Sequence, residues 1–175
     1  MKKSLKLWQI AGFIFTSIGG VLLHYLYDWT NQSPIAAPFS AVNESTWEHM
    51  KLLFFPMYIF TIIQKNTIGK DYENLSCTKL AGTLTGLTLI PVLYYTYTGI
   101  LGVSADWFNI TIFFIAAAAA YYTEYRLIKS QTLTCKSPQT AFTVLCLIAS
   151  AFIILTFVQP KIPLFQDPVT GQFGM

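Results

Sequence analysis

Residues 7 to 29 read LWQIAGFIFTSIGGVLLHYLYDW, and this apolar stretch decides the fold class. On a helix with a rise of 1.5 Å per residue, Trp8 and Trp29 stand about 31 Å apart, which matches aromatic anchors at the two faces of a bilayer. The stretch follows a short basic start, but it is longer than the apolar core of a signal peptide, roughly 7–15 residues. It therefore predicts a retained membrane-spanning helix.

The composition of the whole chain indicates the same class. Hydrophobic residues make up 54% of its 175 residues and charged residues only 11%, whereas a soluble domain carries about 25% charged residues. The net charge of +3 is too small to indicate a nucleic-acid partner. We expect an integral membrane protein whose partner is the lipid bilayer and that binds no nucleic acid.

Five segments are long enough to cross a hydrocarbon core of about 30 Å. They predict an all-α, polytopic membrane helix bundle in which residues 1–175 form a single transmembrane domain. The predicted spans are residues 7–29, 47–66, 77–97, 107–127 and 140–158, followed by an external tail at residues 159–175.

The distribution of lysine and arginine predicts the orientation of these spans. Nine of the 11 such residues fall on one side of the bundle, and only Lys51 and Lys161 fall on the other. Cytoplasmic loops carry the excess of positive charge, so we expect a cytoplasmic N-terminus and an extracytoplasmic tail at the plasma membrane. Cys77, Cys135 and Cys146 then lie at or near the cytoplasmic side, where thiols stay reduced, and no disulfide is expected.

Small residues on the third and fourth spans predict close helix packing. The third span contains Gly82-Thr-Leu-Thr-Gly86, and the fourth contains the run Ala116–Ala120. Both patterns allow a neighbouring backbone to approach closely. At the cytoplasmic end, Glu124 is expected to pair with Arg126 or Lys129. The third span has no charge after Lys79, which argues against a mid-membrane ionisable relay of the kind proton-coupled transporters need.

The second span carries the polar residues of greatest interest. Its uninterrupted apolar run, Leu52 to Ile63, is short for a crossing helix, so polar residues are drawn into the outer membrane boundary. They lie in the stretch Asn43-Glu-Ser-Thr-Trp-Glu-His-Met-Lys51, and ionisable groups at such depth are functional candidates. The preceding loop, residues 30–43, is unusually apolar, and we expect it to lie on the membrane or to fold over the site as a lid.

Two interpretations compete for the acids of this stretch. Ser45-Thr-Trp-Glu48 fits a capping box, in which the Ser45 hydroxyl caps the helix and Glu48 reaches back to the cap amide. Lys51, one turn further on, can neutralise Glu48, which would make the cluster structural. Glu44 lies one turn before Glu48, however, and one cap does not need two acids.

The functional interpretation joins this stretch to the end of the first span, where His24 and Asp28 stand one turn apart. The two spans are expected to be antiparallel neighbours, so His24, Asp28, Glu44, Glu48 and His49 would converge at the outer leaflet. Imidazoles and carboxylates together suit zinc, iron or manganese, and a metal-bound water would supply a nucleophile, with Glu48 or Glu44 in a catalytic role. His49 is the weakest ligand, because it is rotated about 100° from Glu48. A local hydrogen bond between His24 and Asp28 is the structural alternative.

The remaining candidates surround this cluster. We expect the external tail to fold back over the outer face and to bring an acid of its own towards the site. Beyond the proposed ligands, the polar-site candidates are Asn43, Ser45, Trp47, Lys51 and Asp167.

Four stretches are similar to a known family. They are residues 12–29, ending in LHYLYDW, residues 42–56, with NESTWEHMKLLFFP, residues 95–99, and the DPVTG of the tail. On these, the chain resembles an uncharacterised family of small polytopic membrane proteins from Firmicute-type bacteria. The resemblance implies the five-span topology and the choice of site residues, but no reaction.

Two functions follow from the sequence. The first is a membrane protein with an extracytoplasmic His/Asp/Glu site, a metal-dependent hydrolase acting on a lipid or a membrane peptide, with a divalent metal such as zinc as cofactor. The alternative is a non-enzymatic binder or transporter of a small solute, or a membrane scaffold in which the cluster is a helix cap with salt bridges.

Overall fold

The structure is a computed structural model that describes residues 4–174, so Lys2 and Lys3 of the charge count lie outside the described residues. The described part is helical, and its one β-feature is an isolated bridge between Gln166 and Phe173. Each predicted span coincides with one helix, which confirms the all-α class. The helices are α1 (Leu5–Trp29), α2 (Thr46–Ile68), α3 (Leu75–Leu101), α4 (Asp106–Ser130) and α5 (Pro138–Phe157).

Three of the described helices, α1, α3 and α5, are long and apolar enough to cross a membrane, whereas α2 and α4 fall short. The position of α2 gives the physical reason. It packs against all four other helices, and the successive residues 51–57 are all buried, so protein covers every side of the helix there. A helix enclosed in this way does not have to be apolar on every face.

The predicted close packing of α3 and α4 is confirmed. A Cβ atom added to Gly82 would lie 2.4 Å from Cγ of Glu124 and 2.9 Å from the carbonyl oxygen of Ala120. At Gly86 it would lie 3.2 Å from Cβ of Ala120. The missing side chains therefore let the two helices approach closely.

The buried face of α1 is made of small and polar residues. Its buried positions are Gln9, Gly12, Thr16 and Gly20, which recur every three or four residues along one face. A Cβ at Gly12 would lie 2.4 Å from Cε1 of Tyr121, so this face is pressed against α4. A helix turned towards lipid would place apolar residues there, so this face is suited to the interior of a bundle.

We call the end of the bundle where α1 ends and α2 begins the outer end, and the opposite end the inner end. The loop before α2 folds over the outer end. Its Ser40 hydroxyl donates to the Leu23 carbonyl at 2.6 Å and accepts from the Tyr27 amide at 2.8 Å, and its Phe39 ring packs 5.0 Å from that of Phe55. The lid-like cover predicted for this loop is confirmed.

The tail folds back onto the same end, as predicted. Phe165 is buried and stacks 4.6 Å from the ring of Trp47. The Asn43 side chain donates to the Gly174 carbonyl at 2.9 Å. These contacts fasten the tail to the start of α2.

The prediction that no disulfide forms is wrong. Cys77 and Cys135 are bonded, with Cα atoms 5.6 Å apart, whereas Cys146 is free. The prediction rested on the redox state of one compartment and on the absence of a CxxC pair. Because α3 and α4 pack along their length, the start of α3 meets the connection that follows α4, and two cysteines distant in sequence become neighbours.

Candidate functional site

The start of α2 is organised by the predicted cap. The Ser45 hydroxyl accepts from the Glu48 amide at 3.4 Å, which confirms the capping role of Ser45. The second half of the capping box does not form, because the Ser45 amide donates to the Asn43 side-chain oxygen at 2.9 Å. The Glu48 carboxylate is therefore not needed to accept from the Ser45 amide, and it is free to bind other partners.

Glu48 and Lys51 form a fully buried ion pair, with 2.6 Å between Oε2 and Nζ. The same Glu48 oxygen accepts from the Val42 amide at 3.0 Å. Lys51 also donates to the Ala37 carbonyl and to the Thr156 hydroxyl, both at 2.9 Å, so its three N–H groups have three partners. The salt bridge predicted for Glu48 and Lys51 is confirmed, and the other hydrogen bonds of the two side chains join α2 to α5 and to the loop before α2.

A second cluster brings together three of the five residues predicted as ligands. Glu44 places Oε1 3.8 Å from Nε2 of His24 and Oε2 3.5 Å from Nε2 of His49. The two imidazole rings lie 5.9 Å apart. We call His24, Glu44 and His49 the outer triad. Its side chains remain 29%, 48% and 22% exposed, respectively, so solvent reaches them.

The hydrogen bonding of His49 sets the electrostatics of the outer triad. Its Nδ1 lies 3.0 Å from the Ser45 carbonyl oxygen, which can only accept, so Nδ1 carries a proton. In a neutral ring, Nε2 then carries no proton, and its lone pair faces the Glu44 carboxylate oxygen 3.5 Å away. Two hydrogen-bond acceptors at that distance repel each other. The contact becomes favourable once a positive charge, either a proton or a metal ion, lies between them.

A groove opens beside the outer triad between α1, α2 and α4. It has a cavity volume of about 230 Å³. Its lining includes His24, His49, Asn109, Gly20 and Phe113. The groove gives a small ligand access to the outer triad from the side of the bundle.

The other predicted residues lie apart from the outer triad. Asp28 is exposed. Asp167 is buried in the tail, where its carboxylate accepts from the amides of Val169 and Thr170 within its own turn. Trp47 packs between two rings, those of Phe152 and Phe165. Within residues 4–174, no three His, Cys, Asp or Glu side chains are arranged closely enough to hold a metal ion, and the predicted metal and catalytic roles stay predictions.

The sequence reasoning missed a second ion pair, at the inner end. Glu124 does not pair with Arg126 or Lys129; it is fully buried against Lys79 of α3, with 2.5 Å between Oε2 and Nζ. The signal was present, because Glu124 lies one turn after Ala120 on the face that packs against Gly82. A charge on that face has to be buried when the helices meet.

The fold and the site define a helical bundle with three membrane-competent helices, two buried ion pairs and a solvent-accessible His/Glu cluster at its outer end. The chain belongs to the family of unknown function DUF6512, whose profile matches residues 1–175. Comparison with curated proteins gave no match, and comparison with solved structures gave none either. The resemblance to an uncharacterised family is confirmed to that extent.

Proposed function

We propose that the protein is a five-span bacterial plasma-membrane protein with a cytoplasmic N-terminus, and that its outer triad binds a small cation on the extracytoplasmic side. The cation is a divalent metal ion such as zinc or, in its absence, protons on the two imidazoles. The enclosure of α2 by protein supports five spans, because polar residues on that helix need not meet lipid. The lysine and arginine distribution supports the orientation.

One observation carries the proposal: both imidazole Nε2 atoms face oxygens of the same carboxylate, at 3.8 Å and 3.5 Å. Histidines that bind metals commonly donate their other ring nitrogen to a backbone carbonyl, as His49 does to Ser45. Two imidazoles and one carboxylate are also a common ligand set for zinc. As the three side chains stand in the described residues they are too far apart to hold a metal ion, so binding requires them to close around it, and their part exposure leaves room for that movement.

The same geometry favours binding over hydrolysis. The hydrolase hypothesis used Glu48 as base or ligand, but its carboxylate is buried against Lys51 and the Val42 amide. Glu44 is the one acid next to the histidines, and both of its oxygens already face them. A non-enzymatic binding site therefore accounts for more of the contacts than a catalytic one.

Calorimetric titration of the detergent-purified protein with zinc tests the proposal. We expect one bound zinc per chain, and Glu44→Gln to weaken binding at least about tenfold because it removes the shared carboxylate charge. Asp106→Asn is the matched control, because Asp106 is an exposed acid at the same end of the bundle. The affinity should fall as the pH is lowered, since imidazoles bind metal only when neutral.

Elemental analysis of protein purified without chelator gives a second readout. Metal-free protein that also gives no heat with zinc would contradict the proposed cation site. Zinc binding that survives Glu44→Gln unchanged would place the metal elsewhere and contradict the site.

A further inference from the structure

The two buried lysine–glutamate pairs differ in how well they are satisfied. At the outer end, Lys51 has a partner for each of its three N–H groups. At the inner end, Lys79 makes one hydrogen bond within residues 4–174, to Glu124, and its ammonium otherwise lies over the Tyr121 ring, 5.0 Å from the centroid. Each pair also leaves one carboxylate oxygen without a hydrogen-bond partner among the described residues, Oε1 of Glu48 and Oε1 of Glu124, so the pairs differ in the bonding of the lysine and not of the acid.

Buried polar atoms without a partner in the described part of the chain lie at both ends of the bundle, and those at the inner end surround Glu124 and the start of α1. Oε1 of Glu124, Oε1 of Gln64 and both side-chain amide atoms of Gln9 are buried without a hydrogen-bond partner. Burying a charged pair costs several kcal/mol per ion, and an apolar pair would often be at least as stable. Polar groups kept inside a membrane bundle at such a cost are functional candidates.

A buried hydroxyl pair continues from this end towards the outer one. Tyr121 lies one turn before Glu124 on α4, and its hydroxyl is 2.7 Å from that of Thr16 on α1. Thr16 is fully buried. Each hydroxyl donates one hydrogen bond and accepts others, so the pair can pass a proton in either direction.

Two grooves approach this hydroxyl pair from opposite ends along the seam between α1 and α4. The inner groove has a volume of about 460 Å³ and is lined by Gln9 and Tyr121. The outer groove, beside the outer triad, reaches Gly20, one turn from Thr16 and so about 6 Å along the helix. The Tyr121 side chain lines the inner groove and its hydroxyl contacts Thr16, one turn from the outer groove.

We propose that the seam between α1 and α4 is a proton route, with Glu124 and Lys79 as its inner exchange site and Thr16 and Tyr121 as its central relay. A proton from inner water binds the free oxygen of Glu124 and passes to the Tyr121 hydroxyl oxygen as that hydroxyl gives its own proton to Thr16. Thr16 in turn releases its proton to water in the outer groove. One proton enters and one leaves, and each hydroxyl has given up one proton and received another, so both are again neutral hydroxyls.

The absence of charge along α3 after Lys79 therefore does not exclude a relay, because the ionisable pair lies between helices at the very start of that stretch. The route uses residues other than the outer triad and does not rest on the proposed cation site. Either can fail without the other.

Proton flux into liposomes that contain the purified protein and a trapped pH-sensitive dye tests this proposal. A potassium gradient with valinomycin makes the interior negative and drives proton entry. We expect wild-type vesicles to acidify faster than protein-free vesicles, and Tyr121→Phe to fall to the protein-free rate, because it removes the relay hydroxyl and keeps the ring. Tyr122→Phe is the matched control, since that tyrosine is exposed on the same helix.

Glu124→Gln should abolish the flux in the same assay, whereas Glu73→Gln, an exposed acid at the inner end, should leave it unchanged. Glu124→Gln leaves Lys79 without its counter-charge and so could prevent folding. The double variant Lys79→Met with Glu124→Met removes both charges, so it should fold and should not conduct protons. Wild-type flux no faster than that of protein-free vesicles overturns the proposal. So does undiminished flux in Tyr121→Phe or in the folded double variant.

Discussion

At the scale of single residues, buried lysines show how one chemical pair can serve two purposes. Lys51 uses all its donors on Glu48, Ala37 and Thr156, and the last two bonds tie the preceding loop and α5 to α2. An ammonium group with three hydrogen-bond partners holds these segments in one arrangement. Its contribution to the free energy of unfolding can be measured by replacing the lysine.

Lys51→Met leaves Glu48 buried without a counter-charge. We expect a loss of about 3–5 kcal/mol in the free energy of unfolding, because breaking one side of a buried pair strands the other charge. Lys70→Met, which changes an exposed lysine, is the control. Chemical denaturation in detergent measures both, and equal effects of the two substitutions would contradict a structural role for Lys51.

The contact between α3 and α4 depends on Gly82. Gly82→Ala should destabilise the protein by about 1–3 kcal/mol, because the new Cβ would meet Glu124 and the Ala120 backbone. Gly99→Ala on the same helix has nothing within 4 Å, and it should be neutral or slightly stabilising. Thermal unfolding of each variant measures these effects. A melting temperature of Gly82→Ala equal to that of the wild type would contradict the close contact between α3 and α4.

The residues of the site were partly predictable from the sequence. The helical spacing of Ser45 and the antiparallel meeting of the first two spans predicted the cap and the approach of His24 to Glu44. The choice of partner was not predictable, because Glu48 could serve the cap, a metal or Lys51 with the same local spacing. Only the fold of the preceding loop, which supplies the Val42 amide and the Ala37 carbonyl, decides it.

At the scale of elements, the lengths of the apolar segments predicted where the helices lie. They did not predict which helix the other helices would cover. Five apolar segments predicted five helices, and each helix is present. Hydropathy alone ranks α2 below a membrane span, since it cannot register that neighbouring helices cover it. Burial by protein is a tertiary property, which explains how a helix too polar to count as a membrane span can contact all four others.

The bond between Cys77 and Cys135 ties the start of α3 to the connection between α4 and α5 at the inner end. The bond seen in the structure conflicts with the proposed orientation, which places that end in the cytoplasm, where thiols are reduced, unless the bond forms only on oxidation outside the cell. We therefore expect both thiols to be free in cells quenched with acid and a permeant maleimide, and to be bonded after purification in air. Cys146 should be labelled in both samples.

A Cys77–Cys135 bond already present in quenched cells would contradict this expectation. It would place the inner end on an oxidising side and reverse the proposed orientation.

At the scale of the whole molecule, the polar groups divide into an outer and an inner set joined by the seam between α1 and α4. The outer triad is open to solvent, the inner pair is enclosed, and the hydroxyls of Thr16 and Tyr121 lie between them. Replacing a buried ion pair by apolar residues is often neutral or stabilising, so stability alone does not require either set. The two sets are the basis of the proposed cation site and of the proposed proton route.

The central claim is that the two imidazoles and Glu44 act as one cation site, and nuclear magnetic resonance of protein labelled with ¹⁵N-histidine tests it most directly. The chain has only two histidines, and both belong to the outer triad. We predict that added zinc shifts the Nε2 signals of both rings together, that Glu44→Gln abolishes this joint response, and that Nδ1 of His49 stays protonated throughout. Two rings that ignore zinc, or that respond independently of each other and of Glu44, would contradict the account.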